Sequence, residues 1–300
     1  MRWLELSVRS PQEFVEPLSQ IFYRYGHGGV VVESEGGFNP DEGESASPDA
    51  WVTLKTYLPV NSTARERKAR IDLGVRLVAH VSPVSPLSER ELDEQEWQNS
   101  WKEHFDVLHV GRRLVVCPTW KEYEPAATDI VLNLDPGMAF GTGHHPTTRI
   151  CLEMLEEQVK PGTKVLDVGC GSGILSIAAA KLGAGGVVGL EIDPVGVRVA
   201  RSNVSHNGVG HGVRIIRGTL PQPEVTARSY SLVVANISAR VITELAGDIV
   251  KAVAEGGMLI ASGVIAANRA SVEEALASEG ARIDRAVVDG DWVTMQASVP

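Results

Sequence analysis

Three cysteines in 300 residues cannot build a disulfide framework, and an odd number suits a reducing compartment. Long apolar runs are missing too: no stretch approaches the ~18 residues of a membrane span. The opening segment carries Arg2, Glu5 and Arg9 where a signal peptide would need an apolar core. A cytoplasmic chain without a membrane anchor is expected. Basic residues are outnumbered, 28 Lys and Arg against 38 Asp and Glu, for a formal net charge of −10 at pH 7. Such a surface repels phosphate backbones, which argues against a direct nucleic-acid partner. It attracts a basic partner instead. The remaining composition, 43% hydrophobic and 22% charged, is that of a folded globular chain. At this length two domains are expected.

The first ninety residues alternate strand and helix signals. Leu4, Leu6 and Val8 point one way and Glu5, Ser7 and Arg9 the other, which predicts a strand with one wet face. Phe14, Leu18, Ile21 and Phe22 fall at helical spacing before Gly26. Val30, Val31 and Val32 predict a short buried strand, and residues 33–48 an exposed acidic loop rich in Gly, Ser and Pro. A strand over 51–58 and a helix over 64–78 follow. A fourth strand near 81–88 is interrupted by Pro83 and Pro86. The order β-α-β-β-α-β predicts a small ferredoxin-like α+β domain over residues 1–88.

Residues 89–125 read as a linker helix and strand. Trp97, Trp101 and Phe105 line one helical face, either as a connector packed on a domain or as an aromatic wall beside a substrate cleft. A strand is expected over 113–117. Residues 126–300 form the second domain, where strand and helix patterns alternate to the end. That pattern predicts a mostly parallel, Rossmann-like α/β sheet covered on both faces. Asp289-Gly290 marks a closing hairpin, expected to add an antiparallel edge.

The strongest motif is Val165-Leu166-Asp167-Val168-Gly169-Cys170-Gly171-Ser172-Gly173, running from strand into helix. Gly169, Gly171 and Gly173 would let a ligand approach the backbone, in the crevice at the carboxyl ends of the strands. A dinucleotide fingerprint would place its third glycine one residue later. Asp167 facing the site would repel a pyrophosphate but could hold an ammonium group. Glu191 ends the next strand, where an acid can accept hydrogen bonds from ribose hydroxyls. No P-loop lysine motif is present. An adenosine ligand without phosphates is expected, and S-adenosyl-L-methionine is the obvious one.

Two further segments accompany it. The glycine-rich loop over residues 135–148 contains Phe140 and ends in His144-His145-Pro146-Thr147-Thr148. It is expected to start a helix and fold over the ligand. Its paired histidines raise zinc, but no third ligand is evident nearby. Leu232-Val233-Val234-Ala235-Asn236 ends a buried strand in a neutral amide. That amide could orient an attacking amine, or simply cap the strand.

Together these segments, with Gly189-Leu190-Glu191-Ile192-Asp193-Pro194 and the Trp97, Trp101, Lys102 region, resemble the PrmA family. Its members methylate ribosomal protein L11 of the large subunit. The resemblance implies a seven-stranded methyltransferase sheet behind a small substrate-recognition domain. It also implies methylation of lysine side chains and of an α-amino group. Thr148, Gly169, Glu191 and Asn236 carry over as cofactor residues, with Asp167, Gly171, Gly173 and Phe140 beside them and Asn236 as the catalytic candidate. His144 stands where the family usually has Thr, and Glu191 where it usually has Asp. The other readings open at this point are a methyltransferase for another protein or a small amine, a nicotinamide-dependent oxidoreductase, and a non-catalytic ribosome-binding module.

Overall fold

The computed structural model describes residues 2–11, 14–34, 51–80, 82–93, 106–135 and 143–300. By contacts the chain divides into two compact units, Met1–Phe105 and Asp106–Pro300. None of the described helices is long and apolar enough to cross a membrane.

The first unit runs β1 (Trp3–Pro11), α1 (Val15–Tyr25), β2 (His27–Ser34), β3 (Trp51–Pro59), α2 (Ala64–Ala79) and β4 (Ser88–Leu92). Its sheet order is β2-β3-β1-β4 with antiparallel neighbours throughout, the ferredoxin-like arrangement. Leu6 and Val8 of β1 pack with Leu18 and Phe22 of α1 and Ile71 and Val75 of α2. The other face of β1 is not wholly wet. Trp3 is buried there in a small cluster with Tyr57 and Leu92. The fourth strand begins at Ser88 rather than near 81, because Pro83 and Pro86 lack the N–H a ladder needs.

The second unit opens with a small sheet that was only partly expected: β5 (Leu108–Val110), β6 (Leu114–Pro118) and β7 (Ile130–Leu134), with β6 and β7 parallel. There follow α3 (Pro146–Gln158), β8 (Lys164–Val168), α4 (Ile174–Lys181), β9 (Gly186–Glu191), α5 (Pro194–His206), β10 (Val213–Arg217), β11 (Tyr230–Asn236), α6 (Ala239–Ala252), β12 (Val253–Ile265), α7 (Arg269–Ser278), β13 (Arg282–Asp289) and β14 (Trp292–Val299). Seven strands form one sheet in the order β10-β9-β8-β11-β12-β14-β13. Strand direction from β10 to β12 is parallel. Each face carries its own core: Val165, Leu232 and Val234 lie in one, Leu166, Val233 and Ala235 in the other. The closing hairpin forms the expected antiparallel edge of the sheet, with its strands in the order β14 then β13. Its antiparallel member, β14, lies inside the sheet between β12 and β13. Burial explains the choice: Val293, Thr294, Met295, Ala297 and Val299 are buried, whereas β13 presents Arg282, Asp284 and Arg285. Chain order reverses between β8 and β11, which opens a crevice at their carboxyl ends.

Candidate active site

The β8 exit turn forms the floor of that crevice. Gly169, Gly171 and Gly173 take φ values of +73°, +54° and +83°, in the left-handed region where a side chain is strained. The first and third also permit close packing. A Cβ on Gly169 would lie 2.3 Å from Ile237 Cγ2, and one on Gly173 3.2 Å from Ala200 Cβ. The glycines therefore serve the protein's own contacts as well as any ligand. Gly173 directly precedes α4.

Glu191, at the end of β9, ties this turn to the next one. Its Oε2 accepts from Gly171 N and its Oε1 from Asp193 N, both at 2.9 Å. Asp167 lies elsewhere than expected. Strand alternation sends it to the same side as Val165, beneath the turn, where it is fully buried. Ser176 Oγ donates to its Oδ2 at 2.6 Å, and Oδ1 has no partner among the described residues. Burial pushes its pKa up to about 7. It is an interior group that supports the turn from behind, not a carboxylate lining the crevice.

Across from the turn, α3 and β11 supply the polar wall. Pro146 is the first residue of α3, and His145 caps it: its Nδ1 accepts from Thr147 N. The ring packs edge-on against Trp292 at 4.7 Å. Burial and the neighbouring Arg149 hold its pKa below the ordinary imidazole value, which suits an accepting Nδ1. The cap fixes Thr148 one residue further on. Thr148 Oγ1 accepts from Asn236 Nδ2 at 3.3 Å, whereas Asn236 Oδ1 is buried with no partner among the described residues. A crevice of about 10 Å³ lies between these groups, walled by Thr148 and Asn236 on one side and Gly169, Gly171, Ile174 and Leu175 on the other.

The PrmA family model, described as ribosomal protein L11 methyltransferase, matches residues 2–299. The chain belongs to this family. It is 42% identical to a ribosomal protein L11 methyltransferase of Chloroflexus aurantiacus, covering 98% of this chain and 97% of that one. It is also 42% identical to the protein of that name in Pelotomaculum thermopropionicum, over 99% of both chains. Among solved structures, a ribosomal protein L11 methylase from Lactobacillus delbrueckii subsp. bulgaricus matches with 34% identity and a TM-score of 0.60, covering 65% of this chain and 99% of that one.

For this PrmA-family chain, the structure gathers Thr148, Gly169, Gly171 and Asn236 around one crevice and attaches Glu191 through Gly171. Asp167 faces the interior. Phe140 lies outside the described residues, as do the Trp97, Trp101 and Phe105 face and acidic residues 35–48. Among the described residues no group of His, Cys, Asp or Glu could hold a metal ion. Sequence reading missed Asn203, fully buried on α5. Its Oδ1 accepts from Asp135 N at 3.0 Å, and its Nδ2 donates to Asp135 O at 3.0 Å and Ser172 O at 2.9 Å. The available signal was a polar residue within the apolar stripe of Val197, Ala200 and Val204.

Proposed function

We propose that the chain is an S-adenosyl-L-methionine-dependent methyltransferase acting on ribosomal protein L11, and that it methylates amines there, on lysine side chains and the amino terminus. Membership of the PrmA family supports the substrate. The observation that carries the chemistry is the Asn236 amide, whose Nδ2 is engaged by Thr148 while Oδ1 stays buried and bare.

The residues present fit the cofactor. The left-handed glycine turn presents backbone at the crevice, and each Glu191 oxygen keeps a lone pair beyond its backbone bond. Gly169, Gly171, Thr148 and Asn236 would hold the ligand from two sides, with Glu191 taking the ribose hydroxyls. When bound, S-adenosylmethionine supplies a sulfonium-activated methyl group. Asn236 Oδ1 accepts an N–H of the incoming amine and so aims its lone pair. A lysine amine has an ordinary pKa of about 10.4 and arrives mostly charged. Ile174 and Leu175 make the wall apolar, and a low-dielectric wall favours the neutral, nucleophilic form. No side chain of the crevice is required as a general base.

The first unit, which carries none of the glycine turn, recognises the protein substrate in this reading. The acidic surface speeds encounter with a basic ribosomal protein. A ribosomal substrate implies a cytoplasmic enzyme, which the three free, buried cysteines suit. Calorimetry tests the cofactor assignment. Saturable binding of S-adenosylmethionine with none of NAD is expected; the reverse result would overturn it in favour of an oxidoreductase.

A further inference from the structure

One edge of β7 pairs with β6. Its other edge meets no strand among the described residues, yet side chains bond it at every second residue. Lys181 Nζ donates to Val131 O at 2.6 Å. Asn133 exchanges two bonds with the Asn207 amide, N to Oδ1 at 2.9 Å and Nδ2 to O at 2.6 Å. Asp135 exchanges the same two bonds with Asn203, both at 3.0 Å. The spacings match: two strand residues advance about 6.6 Å and four helical residues about 6 Å. Side-chain amides of Asn203 on α5 and Asn207 at its C-terminal cap thus take the place of a neighbouring strand. Asn203 and Asn207 differ in their third bond, which for Asn207 runs from Nδ2 to Asn203 O at 2.8 Å. Asn203 Nδ2 also reaches Ser172 O at 2.9 Å, between Gly171 and Gly173.

We infer that Asn203 is a positioning residue for the cofactor turn, fixing the Ser172 peptide against the end of β7. The inference rests on the reading above that this turn holds the cofactor. Asn207 contributes to the same edge and bonds the Asn203 carbonyl rather than the turn, so it separates the Ser172 bond from the stability of the edge.

The test compares Asn203→Asp with Asn207→Asp. Each replaces an amide donor with an acceptor facing carbonyl oxygens. S-adenosylhomocysteine affinity is measured by calorimetry on the folded proteins, and hydrogen exchange is followed at the Gly171 and Gly173 amides. Both variants should unfold at lower denaturant than wild type. Only Asn203→Asp should weaken binding, by roughly tenfold for one lost hydrogen bond, and speed exchange at the two glycines. Asn203→Ser, which keeps a small donor, should show the same changes in milder form and serves if the aspartate variant does not fold. Equal effects of the Asn203 and Asn207 variants on the turn, or none, would overturn the inference. Wild-type protein that fails to bind S-adenosylhomocysteine would overturn the functional reading instead, while the exchange comparison, which needs no ligand, still decides the role of Asn203.

Discussion

Replacing Asp167 with asparagine tests the interior beneath the glycine turn. The carboxyl is fully buried, bonded only by Ser176 on Oδ2 and bare on Oδ1. Burial, the largest influence, raises its pKa from 3.8 to about 7. The folded protein therefore keeps a proton that the unfolded chain has lost across this interval. Stability from this group is complete below the unfolded value, declines as pH rises and is gone above the folded value. About three pH units at 1.36 kcal/mol each set an upper limit of about 4 kcal/mol. Asparagine is nearly isosteric, can accept the Ser176 hydroxyl and stays neutral throughout. Wild type and Asp167→Asn should be close in stability near about pH 4, and the variant should gain steadily to become more stable by up to about 4 kcal/mol at pH 8. Urea unfolding of both proteins without cofactor, repeated across this range, measures the difference directly. A difference that does not change with pH would refute a neutral buried carboxyl, and a variant losing ground as pH rises would reverse the sign.

Two further expectations concern the crevice. Glu191→Gln places an NH2 where a carboxylate oxygen now accepts a backbone N–H, and it removes the charge offered to the ribose. Losing a charge-assisted contact worth about 1.5–3 kcal/mol should weaken cofactor binding about tenfold or more; unchanged affinity in the folded variant would remove Glu191 from the site. Asn236→Asp puts a carboxylate beside the incoming amine, stabilises its ammonium form and raises its pKa, so activity should fall near neutrality and recover partly at higher pH. If Asn236 only caps β11, turnover will track the folded fraction with an unchanged pH profile.

The parallel sheet was legible because apolar runs such as Leu232–Ala235 and the glycine turn are local signals. The three-residue β5 was not, since a run that short lacks a readable period. Asp167 shows a different limit. Its place in the motif suggested a ligand contact, but its side follows from alternation with Val165, which directs it beneath the turn. The order of the closing hairpin depended on the apolar face of β14, Val293, Met295, Ala297 and Val299, being buried in the core beside β12, a property that shows only in three dimensions. Asn203 was hidden because its partners, Asp135 and Ser172, are distant in sequence. Thr148 and Asn236 were found as separate motifs; their mutual bond, which leaves Oδ1 bare, appears only in three dimensions.

The central claim is methyl transfer to amines of ribosomal protein L11. Purified L11 incubated with the protein and S-adenosylmethionine, then analysed by intact-mass and peptide mass spectrometry, tests it directly. Additions in whole methyl steps are expected, mapping to lysine side chains or the amino terminus and absent without the protein. An unchanged L11 mass in the presence of folded, cofactor-binding protein, or methyl groups found only on other atoms, would contradict it.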